Sequence, residues 1–449
     1  MQEKNISIAG AGLVGSLLSL YLAKRGHKVE IFERRPDARK NLLDGGRSIN
    51  LALSDRGLQA LAKVGLEEKV LKEMAIPMYG RVMHSREGKL TYQPYGKEGQ
   101  AINSVSRAGL NMLMMDEAEK RGVKIHFSQA CADVDLENAS AVYRNREGEE
   151  RKVESDLLFG ADGAFSAVRS IMQKTDRFSY SQEYIEHGYK ELEIPAGPNG
   201  EFLLEKNALH IWPRGSYMLI ALPNPDASFT CTLFFPMDGE VSFASLDTVD
   251  KARSFFEKEF ADALDMMPNF DRDWQENPDS SLVIIRCFPW TRNAKVALIG
   301  DASHAIVPFY GQGMNAGFED CFVLDRLMDE YGDDWEGLLK AYEVERKPDA
   351  DAIADLAMRN FVEMRDLTGD PEFLLRKKIE VRFSEKYPEK WSPLYSLVTF
   401  SPEVRYSDAI ALGKRQDELM AEIMSMPNIH ENWDSPEVEE RMLALAEKL

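Results

Sequence analysis

Three stretches of this chain share one rhythm: an apolar run of strand length, a glycine-rich turn, and then a helical period. In NISIAGAGLVGSLLSLYLAKRGHKVEIFERR (5–35) the pattern predicts a strand, a tight turn, an amphipathic helix ending near Gly26, and a second strand, KVEIFE, that closes on Glu33. DLLFGADGAFSAVR (156–169) runs from an apolar strand through Gly160, Asp162 and Gly163 into a helix with Ser166 and Arg169. AKVALIGDASHAIVPFYGQGMNAGFEDCFVLDRLM (294–328) reaches Asp301, crosses a turn at Pro308 and Gly311, and enters a helix around Gly313. Between the second and third stretches the period falls to two. EHGYKELEI (186–194) and NALHIWPRGSYMLIALPNPDASFTCTLFF (207–235), with turns at Pro213 to Gly215 and Pro223 to Asp226, predict antiparallel strands. From about residue 350 to EVEERMLALAEKL (437–449) the pattern is helical.

Strand–turn–helix units interrupted by hairpins and followed by helices predict an α/β protein. At 449 residues the chain exceeds what one core usually supports. The expected division is a Rossmann-like dinucleotide-binding domain from 1–75, 100–178 and 285–345, an inserted antiparallel β-sheet substrate domain from 76–99 and 179–284, and a C-terminal helical region from 346–449.

Charge narrows the partners. The chain has 75 acidic and 55 basic residues, a net charge of -20 that repels phosphate backbones and anionic headgroups, so no nucleic acid is expected. Cys131, Cys231, Cys287 and Cys321 are scattered, with no C-x-x-C pair and no metal-ligand rhythm, which points to a reducing, cytoplasmic setting and no metal. The strand at Asn5 leaves no room for a signal peptide, and no apolar run approaches the ~20 residues of a membrane helix. A soluble protein is expected.

The first stretch carries chemistry. Gly10 permits the turn, Gly12 lets backbone approach a pyrophosphate, Gly15 lets helix and strand pack closely, and Glu33 lies near the offset of a ribose-hydroxyl acceptor. A carboxylate there disfavours a 2′-phosphate, which favours FAD or NAD over NADP at this site. A NAD dehydrogenase has no use for the third stretch. A flavoprotein does, because the isoalloxazine ring lies far from the adenine, and its reduced form carries negative charge that a helix N-terminus near Gly313 can stabilise.

The three stretches in this order resemble the class A flavoprotein monooxygenases, the single-component aromatic hydroxylases of the para-hydroxybenzoate hydroxylase type. The resemblance implies non-covalent FAD, NADPH as cosubstrate without a domain of its own, and O₂. By it Asp301 contacts the ribityl chain, Arg107 lies on the flavin side, Asp162 touches both FAD and NADPH, and Gly311, Gly313, Met314 and Asn315 belong to the flavin loop. RRPDAR (34–39), GRSINLALSDRG (46–57), HGYKEL (187–192), ALHIWPRG (208–215), PFYGQGMNAGFEDC (308–321), RNFVEM (359–364) and YSLVTFSP (395–402) resemble, more narrowly, the kynurenine-hydroxylating branch. That resemblance implies L-kynurenine as substrate, hydroxylated beside its ring amino group, with Arg81, Tyr95, Asn360 and Tyr395 on the amino-acid head and Phe234 in the pocket wall. The ring amino group already activates the ortho carbon, so no catalytic base is assigned. His304 is expected to serve the flavin loop. Mitochondrial relatives carry a C-terminal membrane anchor, and this acidic tail is expected to lack one. Two other readings stay open: a class A hydroxylase of another aromatic acid, and a flavin-binding redox protein without turnover.

Overall fold

A computed structural model describes residues 2–40, 50–97, 99–364 and 370–449; residues 46–49 of GRSINLALSDRG lie outside the described residues. One sheet runs in the order Thr291–Arg292, Val296–Leu298, Leu157–Gly160, Asn5–Ala9, Lys28–Glu33, Lys124–Phe127. Its pairings are parallel except at the two-residue edge. Parallel strands are covered on both faces, which is why they read as unbroken apolar runs. The strands that end in the three glycine-rich turns are neighbours: Ile6 sits beside Leu157, and Leu158 beside Val296. The α/β class expected from the sequence is what the chain adopts.

The helix Leu13–Lys24 corrects one expectation. It is buried without a break from Gly15 to Leu22, because it packs against helices Arg107–Lys120 and Gly313–Tyr331 as well as the sheet, so it is apolar all round rather than amphipathic. The close packing is literal at Gly15, where a Cβ would lie 2.1 Å from the Gly10 carbonyl oxygen. The third stretch also holds an unexpected helical turn, Asp301–His304, before the 3₁₀ turn Pro308–Tyr310 and the helix that starts at Gly313.

A second sheet runs Ser280–Phe288, Ser179–Ile194, Phe229–Pro236, Met218–Pro223, Ala208–Pro213, Gly80–His84, Leu90–Pro94. It is antiparallel but for one pair. Gly80–His84 lies parallel to Ala208–Pro213, because it arrives from the dinucleotide-binding part of the chain and not through a hairpin. One face packs on helices Val249–Glu259, Ala261–Leu264 and Phe270–Glu276. The other contributes Met218 and Phe234 to a core shared with the helix Trp335–Val362. Two expected boundaries fall inside elements: 75/76 lies in the strand Ala75–Met78, which pairs with Ile102–Ser106, and 345/346 lies in Trp335–Val362, which runs through Pro348. Farther on, Phe383, Trp391, Met420, Ile423, Met442 and Leu445 form a separate core. Among the described residues no helix is long and apolar enough to cross a membrane.

Buried charge ties the third turn to the helices. Asp320 accepts from the Gly300 amide at 3.0 Å and His304 Nε2 at 2.6 Å through one oxygen, and from Arg346 Nε at 2.8 Å through the other. Arg346 also pairs with Glu319 and Asp349. Burial would raise the Asp320 carboxyl, but the His304 and Arg346 partners outweigh it and hold it below the ordinary range. Breaking a buried pair from one side strands the other charge. Arg346→Met is therefore expected to destabilise the protein by about 3–5 kcal/mol in chemical denaturation; a loss under about 1 kcal/mol would show that the network contributes nothing net.

Candidate active site

The carboxyl ends of the three neighbouring strands open onto a cavity of about 1710 Å³, a volume that includes its mouth. Its wall combines Gly12, Leu13 and Val14 from the first turn, Ala161 and Gly163 from the second, and Asp301, Gly311, Gly313 and Met314 from the third, together with Arg107. Such a crevice beyond the strand ends is where doubly wound sheets bind ligands.

The lining fits a dinucleotide. Helices Leu13–Lys24 and Gly313–Tyr331 both begin at this wall, and neither has a side-chain hydrogen bond to its first turn, so their amides stay available for negative charge. A Cβ on Gly12 would meet nothing within 4 Å, whereas one on Gly10 (φ 103°) would come within 2.5 Å of the Ala161 carbonyl oxygen. Gly12 thus leaves room on the cavity side, while Gly10 and Gly15 are required by packing. Asp301 is open to the cavity; the protein packed around it raises its carboxyl, and the nearby Arg107 guanidinium partly offsets this.

Several expected cofactor residues do not present their side chains to the cavity. Glu33 accepts from the backbone amides of Ala11 (2.9 Å) and Arg35 (2.8 Å), bracing the turn. Asp162 Oδ2 accepts from Ala167 and Val168 and so caps its own helix, and its buried Oδ1 has no partner. Asn315 is fully buried. Its oxygen accepts from the Ser54 amide and its nitrogen donates to the Ala52 and Gly311 carbonyls, stapling the strand Asn50–Leu53 to the loop. Arg169 binds the Ala302 and Ala164 carbonyls and so joins the second turn to the third.

The seven-stranded sheet forms the remaining wall. Met218, Ile220 and Leu222, alternate residues of one strand, face the cavity beside Thr232 and Phe234 of the next. The period-two pattern carried that signal, but it did not say which face would be covered by core. Leu209, Met78, Tyr189, Ile306, Phe309 and Met364 also line the cavity and went unassigned.

Arg81 projects into this wall between two tyrosines, its guanidinium 5.1 Å from the Tyr95 ring centroid and 4.7 Å from that of Tyr395. Both rings line the cavity and lie 5.7 Å apart, and Tyr310 stacks on Tyr395 at 5.4 Å. Burial, and then the neighbouring Tyr395, push the Tyr95 phenol well above its ordinary value, so it stays a neutral donor. Arg81 forms no ion pair with another described residue, and its Nε lacks a hydrogen-bond partner. Tyr395 is fixed from a distance. Fully buried Arg56 donates to the carbonyls of Leu397, Val398, Ser401 and Val404, so it gathers the end of the helix Leu394–Phe400, and it pairs with Glu319. Asn360, expected at the substrate, instead donates to the Phe309 carbonyl at 2.6 Å from behind the wall.

Residues 3–194 and 285–357, more than half of the chain, match the family described as FAD binding domain. Kynurenine 3-monooxygenase of Christiangramia forsetii is 52% identical over 452 residues, covering 100% of both chains. That of Dictyostelium discoideum is 44% identical over 461 residues, covering 100% of this chain and 97% of its own. Among solved structures, 2-methyl-3-hydroxypyridine-5-carboxylic acid oxygenase superposes with a TM-score of 0.67 at 22% identity, covering 83% of this chain and 94% of that one. PqsL of P. aeruginosa, in complex with 2-aminobenzoylacetate, gives 0.65 at 18% identity, covering 81% and 97%, and these two structures bear on the fold alone. With an FAD-binding family match over most of the nucleotide-binding part and end-to-end identity to these relatives, the chain belongs to the kynurenine 3-monooxygenase family.

Proposed function

We propose that this protein hydroxylates L-kynurenine beside the ring amino group, using FAD, NADPH and O₂. The observation that carries the reading is Arg81, a half-buried guanidinium with no anionic partner among the described residues, opening onto the same cavity as the glycine-rich turns. A buried charge left unpaired is costly, so its position favours a ligand that brings a carboxylate.

Bound FAD, reduced by NADPH, supplies an electrophilic oxygen from O₂; one oxygen atom enters the ring and the other leaves as water. The chain's own residues bind, orient and exclude water. Arg81 holds the substrate carboxylate, and the Tyr95 and Tyr395 hydroxyls add hydrogen bonds. Phe234, Phe309, Ile220 and Leu222 pack the aromatic ring and keep the site dry. Asp301 and Arg107 face the ribityl and flavin side, with the amides at Gly12, Gly313 and Met314 serving the phosphates and ring. Asn360 shapes the pocket through Phe309, and Glu33, Asp162 and Asn315 brace the turns that meet the cofactor. Among the described residues, the charged side chains of the cavity wall are Arg81, Arg107 and Asp301, with no histidine beside them. This suits a substrate whose aniline nitrogen already activates the attacked carbon. We also propose a division into nucleotide-binding, sheet and helical parts whose boundaries leave the strand Ala75–Met78 and the helix Trp335–Val362 whole, and a cytoplasmic setting supported by four free cysteines, three of them buried.

NADPH oxidation by the FAD-loaded protein is expected to be slow alone and to rise on adding L-kynurenine, with one 3-hydroxykynurenine, identified by mass, per NADPH consumed. A rate indifferent to kynurenine would end the reading, and the same stimulation by a different aromatic acid would redirect it. Arg81→Met is expected to raise KM about tenfold or more, since a hydrogen bond to a charged group contributes about 1.5–3 kcal/mol, with a smaller change in kcat. Asp301→Ala should lose FAD during gel filtration, read from the ratio of flavin to protein absorbance; full retention would remove Asp301 from the cofactor site.

A further inference from the structure

The sheet that presents Arg81 carries a histidine relay on its opposite face. His84 Nε2 lies 2.9 Å from His210 Nδ1, and His84 Nδ1 lies 3.1 Å from Asp262 Oδ2. His210 Nε2 lies 2.9 Å from the Glu205 carbonyl oxygen, and Trp212 Nε1 donates to the same Asp262 oxygen at 2.9 Å. Both imidazoles are buried, and His84 stacks on Trp212 at 3.9 Å.

Donor and acceptor accounting fixes the protons. A carbonyl only accepts, so His210 donates from Nε2. Burial pushes the His210 ring down to about 4, so the ring is neutral near pH 7 and its Nδ1 is a lone pair. His84 must then donate from Nε2. Burial works to raise the Asp262 carboxyl, but the His84 and Trp212 hydrogen bonds overcome it and hold the group below the ordinary range, so it accepts. His84 must donate to it from Nδ1 as well. With one proton fewer, two lone pairs would face each other at 2.9 or 3.1 Å.

The placement gives this bridge a task. Along Gly80–His84, residues 80, 82 and 84 are buried, whereas Arg81 points to the cavity side. The outer neighbour Leu90–Pro94 is exposed at all five positions and offers little burial to hold the strand. His84 ties it to the helix Ala261–Leu264 through Asp262 and to the strand Ala208–Pro213 through His210, while Arg214 Nη1 donates to the His84 carbonyl at 3.0 Å.

We propose that His84 is a positioning residue for Arg81: donating from both ring nitrogens, it bridges Asp262 and His210 and fixes the strand that holds Arg81 at the substrate carboxylate. The proposal rests on the reading of Arg81 given above. The bridge is present at neutral pH. It needs Asp262 ionised and is lost in acid as that carboxylate is protonated. Among the described residues, the other charged groups near this spot are Arg214, the Arg86–Glu259 pair, and Glu205, whose charge acts on His210 against its burial.

The test uses the FAD-loaded protein labelled with ¹⁵N-histidine. An imidazole signal with protons on both ring nitrogens is expected in wild type and should disappear in His84→Gln. His84→Gln should raise the kynurenine KM about fivefold while kcat changes less than about twofold and FAD content stays constant. His210→Gln keeps an acceptor for His84 and should stay near wild type, whereas His210→Leu should behave like His84→Gln. If His84→Gln does not fold, Asp262→Asn, at a partly exposed position, carries the same expectation. A single ring proton on His84, or an unchanged KM in a folded variant while Arg81→Met raises it, overturns the proposal. An unchanged KM in Arg81→Met overturns the carboxylate reading and the positioning claim with it.

Discussion

Parallel pairing of three short strands is the constraint on which the rest of the site depends. Asn5–Ala9, Leu157–Gly160 and Val296–Leu298 lie side by side, so turns separated by more than a hundred residues in sequence leave the sheet at adjacent points on one edge. Each turn is then held by a different local device. Glu33 accepts the Ala11 amide in the first, Arg169 reaches from the second to the Ala302 carbonyl, and Asp320 accepts the Gly300 amide in the third. None of these side chains lines the cavity, yet each limits where a lining residue can stand.

The second sheet completes the cavity by bringing an apolar face to that edge. The aromatic run Tyr95, Tyr395 and Tyr310 gives Arg81 a stacked surround, in which a guanidinium can be desolvated without a carboxylate of the protein's own. Two anchors stand behind this group. Arg56 collects the carbonyls at the end of the Tyr395 helix, and the relay of His84, His210 and Asp262 pins the Arg81 strand from the back. Substrate and cofactor walls are thus fixed by buried polar groups whose partners are mostly backbone carbonyls and amides, and such groups tolerate little displacement.

Much of this was legible in the chain. Glycine spacing, apolar runs of strand length and the change of period from 3.6 to two are local properties, and they determined the α/β class, the three turns, the hairpins between Ala208 and Pro236 and the helical end. Gly12, Asp301, Gly311, Gly313, Met314 and Arg107 line the cavity, as do Arg81, Tyr95, Phe234 and Tyr395.

Tertiary structure decided what local pattern leaves open. The spacing of Asn315 and Asn360 cannot reveal that backbone groups of Ala52, Gly311 and Phe309 claim their amides, nor that the Glu33 carboxylate turns back to Ala11. The first helix reads as amphipathic until two other helices cover its outer side. Gly80–His84 joins its sheet in parallel, a pairing set by a contact 128 residues away in sequence, between Gly80 and Ala208. The sequence by itself determined which elements form and which kinds of chemistry they carry, because those follow from backbone preference and periodicity. Only the folded chain decided which polar groups remain free to meet a ligand, because a side chain's partners are set by whatever distant backbone packing places within hydrogen-bond reach.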